Sequence, residues 1–175
     1  FKLYMKKGLL GIILILFSLF IFPFEKVNTV IANSTESSNC AIDVFIEKIR
    51  KLGYSVKLDT NGTFPDKLKD LVNRGLVDYV AMDIKTSPNR YGEELFSEKK
   101  INNNNFANLL NQTIELIETN SKIKTEYRTV LVPGLITKND IDEIAAIIPK
   151  NAIWLFSNFE NFNCLNPKFN NILPY

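Results

Sequence analysis

Between residues 41 and 175 the hydrophobic period alternates between that of a helix and that of a strand, and few folds accept such a pattern. Ile42, Phe45, Ile46 and Ile49 fall at i, i+3, i+4 and i+7, one face of a helix ending near Leu52-Gly53. Tyr54–Asp59 then alternates, with Val56 and Leu58 on one face, and Asn61-Gly62 stops it. Pro65 opens a second helix lined by Leu68, Leu71 and Val72 and ended by Gly75. Asp78–Lys85 (DYVAMDIK) is a near-continuous apolar run, the mark of a strand covered on both faces.

The alternation continues past a polar stretch. Phe106, Leu109, Leu110, Thr113 and Ile117 mark a third helix, whose start at Asn102–Asn105 carries no assigned role. Lys124–Val132 is a third strand, stopped by Pro133-Gly134. Thr137 with Asp140 forms a capping-box start for a fourth helix, faced by Ile141, Ile144, Ala145 and Ile148 and ended by Pro149. Ala152–Phe156 is a fourth short strand. Short connections between alternating elements imply a parallel α/β sheet with right-handed crossovers, either doubly wound or part of a (β/α) barrel.

In such sheets ligands bind at the C-terminal ends of the strands. The first strand ends in Asp59-Thr60-Asn61-Gly62, the second in Asp83-Ile84-Lys85, the third in Val132-Pro133-Gly134 and the fourth in Ser157-Asn158. Asp59 and Asp83 are expected at equivalent depth on neighbouring strands, with Lys85 on the same side as Asp83. Two carboxylates, an amide and a lysine at one rim suit a zwitterionic or hydroxyl-rich ligand. The same residues also read as plain turn chemistry, and Asp83 and Lys85 are spaced to pair with each other.

Composition narrows the chemistry. With no histidine, Ser-His-Asp and Cys-His catalysis and histidine-ligated zinc are excluded. Two cysteines, Cys40 and Cys164, make neither a CxxC pair nor a self-sufficient iron–sulfur cage. A net charge of +2 argues against a protein that tracks nucleic-acid phosphates.

The N-terminal segment is of another kind. Gly8–Phe22 (GLLGIILILFSLFIF) has no charge, follows Lys2, Lys6 and Lys7, and precedes Val30-Ile31-Ala32. Residues 1–32 therefore read as a secretory signal cleaved after Ala32, a short membrane anchor, or a buried element of the domain. Residues 33–40 are a polar linker, and 41–175 an ordinary α/β domain.

Three stretches in series look familiar: KIRKLGYSVKLDTNGTFPDKLKDLVNRGLVDYVAMDIK (Lys48–Lys85), TEYRTVLVPGLITKNDIDEIAAII (Thr125–Ile148) and NFENFNCLNPKFNNILPY (Asn158–Tyr175). Over residues 41–175 the chain resembles the radical S-adenosylmethionine activating enzymes, of the anaerobic ribonucleoside-triphosphate reductase activating protein type. The resemblance implies a partial (β/α) barrel of parallel strands, incomplete at its N-terminal side, and a cytoplasmic protein. It implies S-adenosylmethionine and a [4Fe–4S] cluster as cofactors, and as partner a glycyl-radical enzyme such as anaerobic ribonucleotide reductase. Asp59, Thr60 and Asn61 are implied beside the methionine or ribose part of the nucleoside, Asp83 and Lys85 at its polar groups, and Val132 with Pro133 as an apolar wall near the adenine.

The sequence departs from that family where the cluster is held. Neither the C-x3-C-x2-C motif nor the glycine-rich GGE stretch occurs in these residues, and the signal-like segment stands in their place. A cubane needs at least three protein thiolates. The expectation is the C-terminal two-thirds of an activase-like domain, truncated and inactive alone. The alternative is a non-catalytic nucleoside-binding or interaction module, tethered to a membrane through residues 8–22. A sheet lacking its first strands leaves an open edge, which Gly8–Phe22 is apolar enough to cover.

Overall fold

The computed structural model describes residues 2–7, 39–91, 103–162, 164 and 167–175. The elements run β1 (Lys2–Lys7), α1 (Asn39–Lys51), β2 (Tyr54–Thr60), α2 (Pro65–Asn73), β3 (Tyr79–Asp83), α3 (Asn103–Glu118), β4 (Lys124–Leu131), α4 (Lys138–Ile147) and β5 (Trp154–Asn158). Short 3-10 helices lie at Pro88–Arg90 and Pro167–Asn171.

All five strands join one sheet in the order β1-β2-β3-β4-β5. Strands β2 to β5 are mutually parallel neighbours, and β1 pairs antiparallel with β2 from Lys2 opposite Asp59 to Lys7 opposite Tyr54. A doubly wound sheet reverses its strand order at a switch point. Among the described strands the order does not reverse, and they form one open sheet. At the N-terminal side, the edge expected to lie open is paired with the basic Lys2–Lys7 stretch. Gly8–Phe22 and the linker before Asn39 fall outside the described residues. No helix among the described residues is long and apolar enough to cross a membrane.

Period-two alternation puts Val56 and Leu58 of β2, Val80 and Met82 of β3, and Tyr127 of β4 on one face. These residues are buried in one cluster with Ile46 of α1, Leu68 and Leu71 of α2, Leu110 and Ile117 of α3, and Ile144 of α4. The helices therefore cover the same face, as right-handed crossovers between sequential neighbours require. Each large aliphatic side chain sealed there contributes about 2 kcal/mol.

Two local signals set the helix ends. Gly75 follows α2 at φ 66°, a left-handed turn that a β-carbon would strain. Thr137 and Asp140 form the expected capping box of α4: each side chain bonds the other's backbone N–H. Asp140 is buried and also accepts two hydrogen bonds at 2.9 Å from Nη1 of Arg90, tying the segment after β3 to the start of α4.

Candidate functional site

The second face of the sheet has a different chemistry. Lys57 and Asp59 of β2, Tyr79, Ala81 and Asp83 of β3, and Glu126 and Arg128 of β4 alternate with the core residues and so share it. Parallel strands usually carry apolar residues on both faces. Here the second face is a layer of ion pairs.

Arg128 is its centre. Its Nε and Nη2 donate to Oδ1 of Asp83 at 2.8 and 2.7 Å, and Nη2 also meets Oδ2 of Asp59 at 3.0 Å. The planar guanidinium has donors enough for both carboxylates, where a lysine would offer a single point charge. Burial works against the charge on Arg128, but Asp83 and Asp59 outweigh it and its pKa lies above the ordinary value. Nearer the N-terminal ends of the strands, Glu126 accepts from Lys57 Nζ at 2.7 Å and from the Tyr79 hydroxyl at 2.8 Å. Burial would raise the Glu126 pKa, yet those two hydrogen bonds and the cations around it hold it below 4.5. Burial, and then the Glu126 hydrogen bond, push the Tyr79 phenol up to about 12.

The two aspartates do not lie at equivalent depth. Asp59 is registered opposite Ala81, and Asp83 opposite Arg128, one pleat further toward the strand ends. The side chain of Arg128 spans that step. Asp59 is 5% exposed, and its Oδ1 has no hydrogen-bond partner among the described residues. A buried carboxylate oxygen left in that state is costly unless something meets it. Asp83 is more open, and Lys85 Nζ lies 3.7 Å from its Oδ2 with the lysine side chain 46% exposed. Asp59, Asp83 and Lys85 are thus brought together, with Arg128 between the aspartates.

Thr60 and Asn61 are placed otherwise. Thr60 points with Val56 and Leu58 toward the helices, and its Oγ1 accepts from Gly62 N at 3.1 Å. Asn61 Oδ1 accepts from the Thr63 amide and hydroxyl at 3.2 and 2.8 Å. Both oxygens build the turn, as the Asp-Thr-Asn-Gly chemistry permits. Gly62 belongs there because it sits at φ 77° and an added Cβ would come within 2.4 Å of Met82 Cε. Val132 is half-buried after β4, and its carbonyl accepts from the Leu135 and Ile136 amides.

Arg128, Glu126, Lys57 and Tyr79 were not singled out from the sequence. A signal for two of them was present: within Lys124–Leu131, Glu126 and Arg128 alternate with Tyr127 and Thr129, so one face of that strand had to be charged.

A zwitterion fits this arrangement. Arg128 and Lys85 present donors for a carboxylate, while Asp83 and the unpartnered oxygen of Asp59 suit an ammonium or a sugar hydroxyl. Among the described residues no group of three or more His, Cys, Asp or Glu is arranged to hold a metal ion. Cys164 is a free thiol in the C-terminal tail, its Sγ 3.7 Å from the Glu160 carbonyl oxygen.

The chain is similar to a glycyl-radical enzyme activating enzyme. The relative, from Methanocaldococcus jannaschii, is described as a proposed enzyme of that kind and is 30% identical over 120 residues. The match takes in 69% of this chain but 49% of the relative, so the chain spans about half the length of the curated relative it matches. No family model matches the chain.

Proposed function

We propose that this chain is the S-adenosylmethionine-binding part of an activase-like domain, of the anaerobic ribonucleotide reductase activating type, and that by itself it binds without catalysing. One observation carries the reading: a buried aspartate, Asp59, whose Oδ1 has no hydrogen-bond partner among the described residues, stands beside Arg128, Asp83 and Lys85 on the sheet face opposite the described helices. The methionine carboxylate is met by Arg128 and Lys85. Its ammonium is met by Asp83 and Asp59, and Val132 with Pro133 forms the wall against the adenine. Thr60 and Asn61 contribute through the shape of their turn. Likeness to a glycyl-radical activating enzyme supports a partner of the glycyl-radical kind and a cytoplasmic setting.

A [4Fe–4S] cluster does not fit the residues present. Two cysteines in 175 residues fall short of the three thiolates a cluster requires. The protein supplies position and charge for such cofactors, and the cofactor supplies the electron chemistry. No radical step is therefore assigned to this chain alone.

Two measurements test the reading. Calorimetric titration with S-adenosylmethionine and S-adenosylhomocysteine is expected to give saturable binding of about one nucleoside per chain; no binding of either refutes the site. Anaerobic reconstitution with iron and sulfide is expected to leave no [4Fe–4S] absorption band. A stoichiometric cluster would overturn the non-catalytic assignment.

A further inference from the structure

The turn after β2 and the end of β3 carry the candidate ligand groups on separate strands, and one side chain joins them. Tyr91, just after the Pro88–Arg90 turn, is fully buried against Phe106 of α3, with ring centroids 6.1 Å apart. Its hydroxyl lies 3.2 Å from the carbonyl oxygen of Asn61 and 3.2 Å from that of Asp83. The phenol has one proton, so the two carbonyls share it in a three-centre bond. Burial in first place, with the negative charge of Asp83, raises the Tyr91 pKa well above the ordinary phenol, and the proton stays in place. Thr113 of α3 donates to the Gly62 carbonyl at 2.8 Å, holding the same turn from a second side.

We propose that Tyr91 is a positioning residue for the nucleoside site: its shared hydrogen bond fixes the spacing between the Asp59–Gly62 turn and the Asp83–Lys85 strand end. The Tyr91 hydroxyl meets backbone of the candidate residues, donating to the Asn61 and Asp83 carbonyls and accepting from the Lys85 backbone. It sits beneath the sheet end, on the helix side, and acts through the backbone of Asn61 and Asp83. The inference rests on the binding reading above. It adds that the geometry of the charged rim is set from below, by a residue of the segment that follows β3. Without the hydroxyl two carbonyls lose a donor at the point where β2 and β3 end, and the two halves of the site are free to drift apart. A site of this kind needs its groups held to within about 0.5 Å.

The test compares Tyr91→Phe with Tyr127→Phe in the full 175-residue chain. Tyr127 is an equally buried tyrosine whose hydroxyl bonds Glu118 at 2.7 Å, away from the ligand groups. Both variants lose one buried hydrogen bond, so their melting temperatures are expected to fall by similar amounts. S-adenosylhomocysteine affinity is expected to fall about fivefold in Tyr91→Phe and to stay unchanged in Tyr127→Phe. Thr113→Val, which frees the Gly62 carbonyl, is expected to weaken binding in the same direction and serves if Tyr91→Phe does not fold. Equal affinity in wild type and Tyr91→Phe, or equal loss in Tyr91→Phe and Tyr127→Phe, overturns the inference.

Amide hydrogen exchange separates this from the binding reading. Faster exchange at Gly62, Thr63 and Ile84 in Tyr91→Phe, and not in Tyr127→Phe, is the expected mark of loosened strand ends. If the wild-type chain binds no nucleoside, the binding reading fails and the exchange still reports on the clamp. Unaltered exchange at those amides overturns the clamp even where binding is seen.

Discussion

The two faces of this sheet are built from the same strands, residue by residue, yet obey different rules. On the helix side Val56, Leu58, Val80, Met82 and Tyr127 are sealed from water, and their burial holds the domain together. On the other side Lys57, Asp59, Tyr79, Asp83, Glu126 and Arg128 are joined in ion pairs and hydrogen bonds. An apolar covering would stabilise a parallel sheet at least as well, since partly buried ion pairs seldom gain over hydrophobic replacements. A charged layer that runs along the strands and ends in Asp59, Asp83, Lys85 and Arg128 is the surface on which the proposed ligand site rests. The helix face specifies the fold, and the proposed nucleoside chemistry rests on the charged face.

The sharpest separation comes from one substitution on each face. Leu58→Ala removes a fully buried side chain and is expected to cost about 3 kcal/mol in urea unfolding, with nucleoside affinity unchanged once the folded fraction is accounted for. Arg128→Leu keeps the bulk but strands Asp59 without its partner. A loss of about 2 kcal/mol is expected, with nucleoside binding falling more than tenfold. If Arg128→Leu binds as the wild type does, the charged face is only structural.

A smaller effect should appear in the acid limb of the stability curve. Glu126 has a lower pKa folded than its ordinary 4.5, so its contribution is present above that value and is lost as the pH falls through the folded-state pKa. Glu126→Gln is expected to flatten this part of the curve, measured by urea unfolding between about pH 5 and 3. An unchanged slope would remove Glu126 from the layer. The smallest effect belongs to the exposed Lys138–Asp142 pair on α4: Lys138→Ala is expected to leave the urea-unfolding midpoint and nucleoside binding unchanged.

Much of the helix face was legible in the sequence, because period and punctuation encode it directly. The apolar positions of α1 and α2, Pro65 at a helix start, Gly75 at its end and the Thr137–Asp140 box all lie where local pattern places them. The charged face was legible in part. Asp59, Asp83 and Lys85 stood out because they end strands, but their relative depth depends on register, which a single strand does not contain. Register also hid Arg128, whose role exists only because β4 lies beside β3 with residue 128 opposite residue 83. Tyr91 was hidden for a similar reason: its two acceptors lie 30 and 8 residues away along the chain. Lys2–Lys7 carried a charge pattern suited to the lead of a signal segment, and nothing local marked it as a strand beside β2.

The most direct test of the charged face is calorimetric titration of S-adenosylmethionine into the wild-type chain, Asp83→Ala and Asp66→Ala. Asp66 is an exposed carboxylate in the first turn of α2, of the same charge as Asp83 but outside the layer. Binding by the wild type, loss of at least about tenfold in Asp83→Ala and wild-type affinity in Asp66→Ala is the expected result. No binding by the wild type, or the same affinity in both variants, would contradict a nucleoside site on this face.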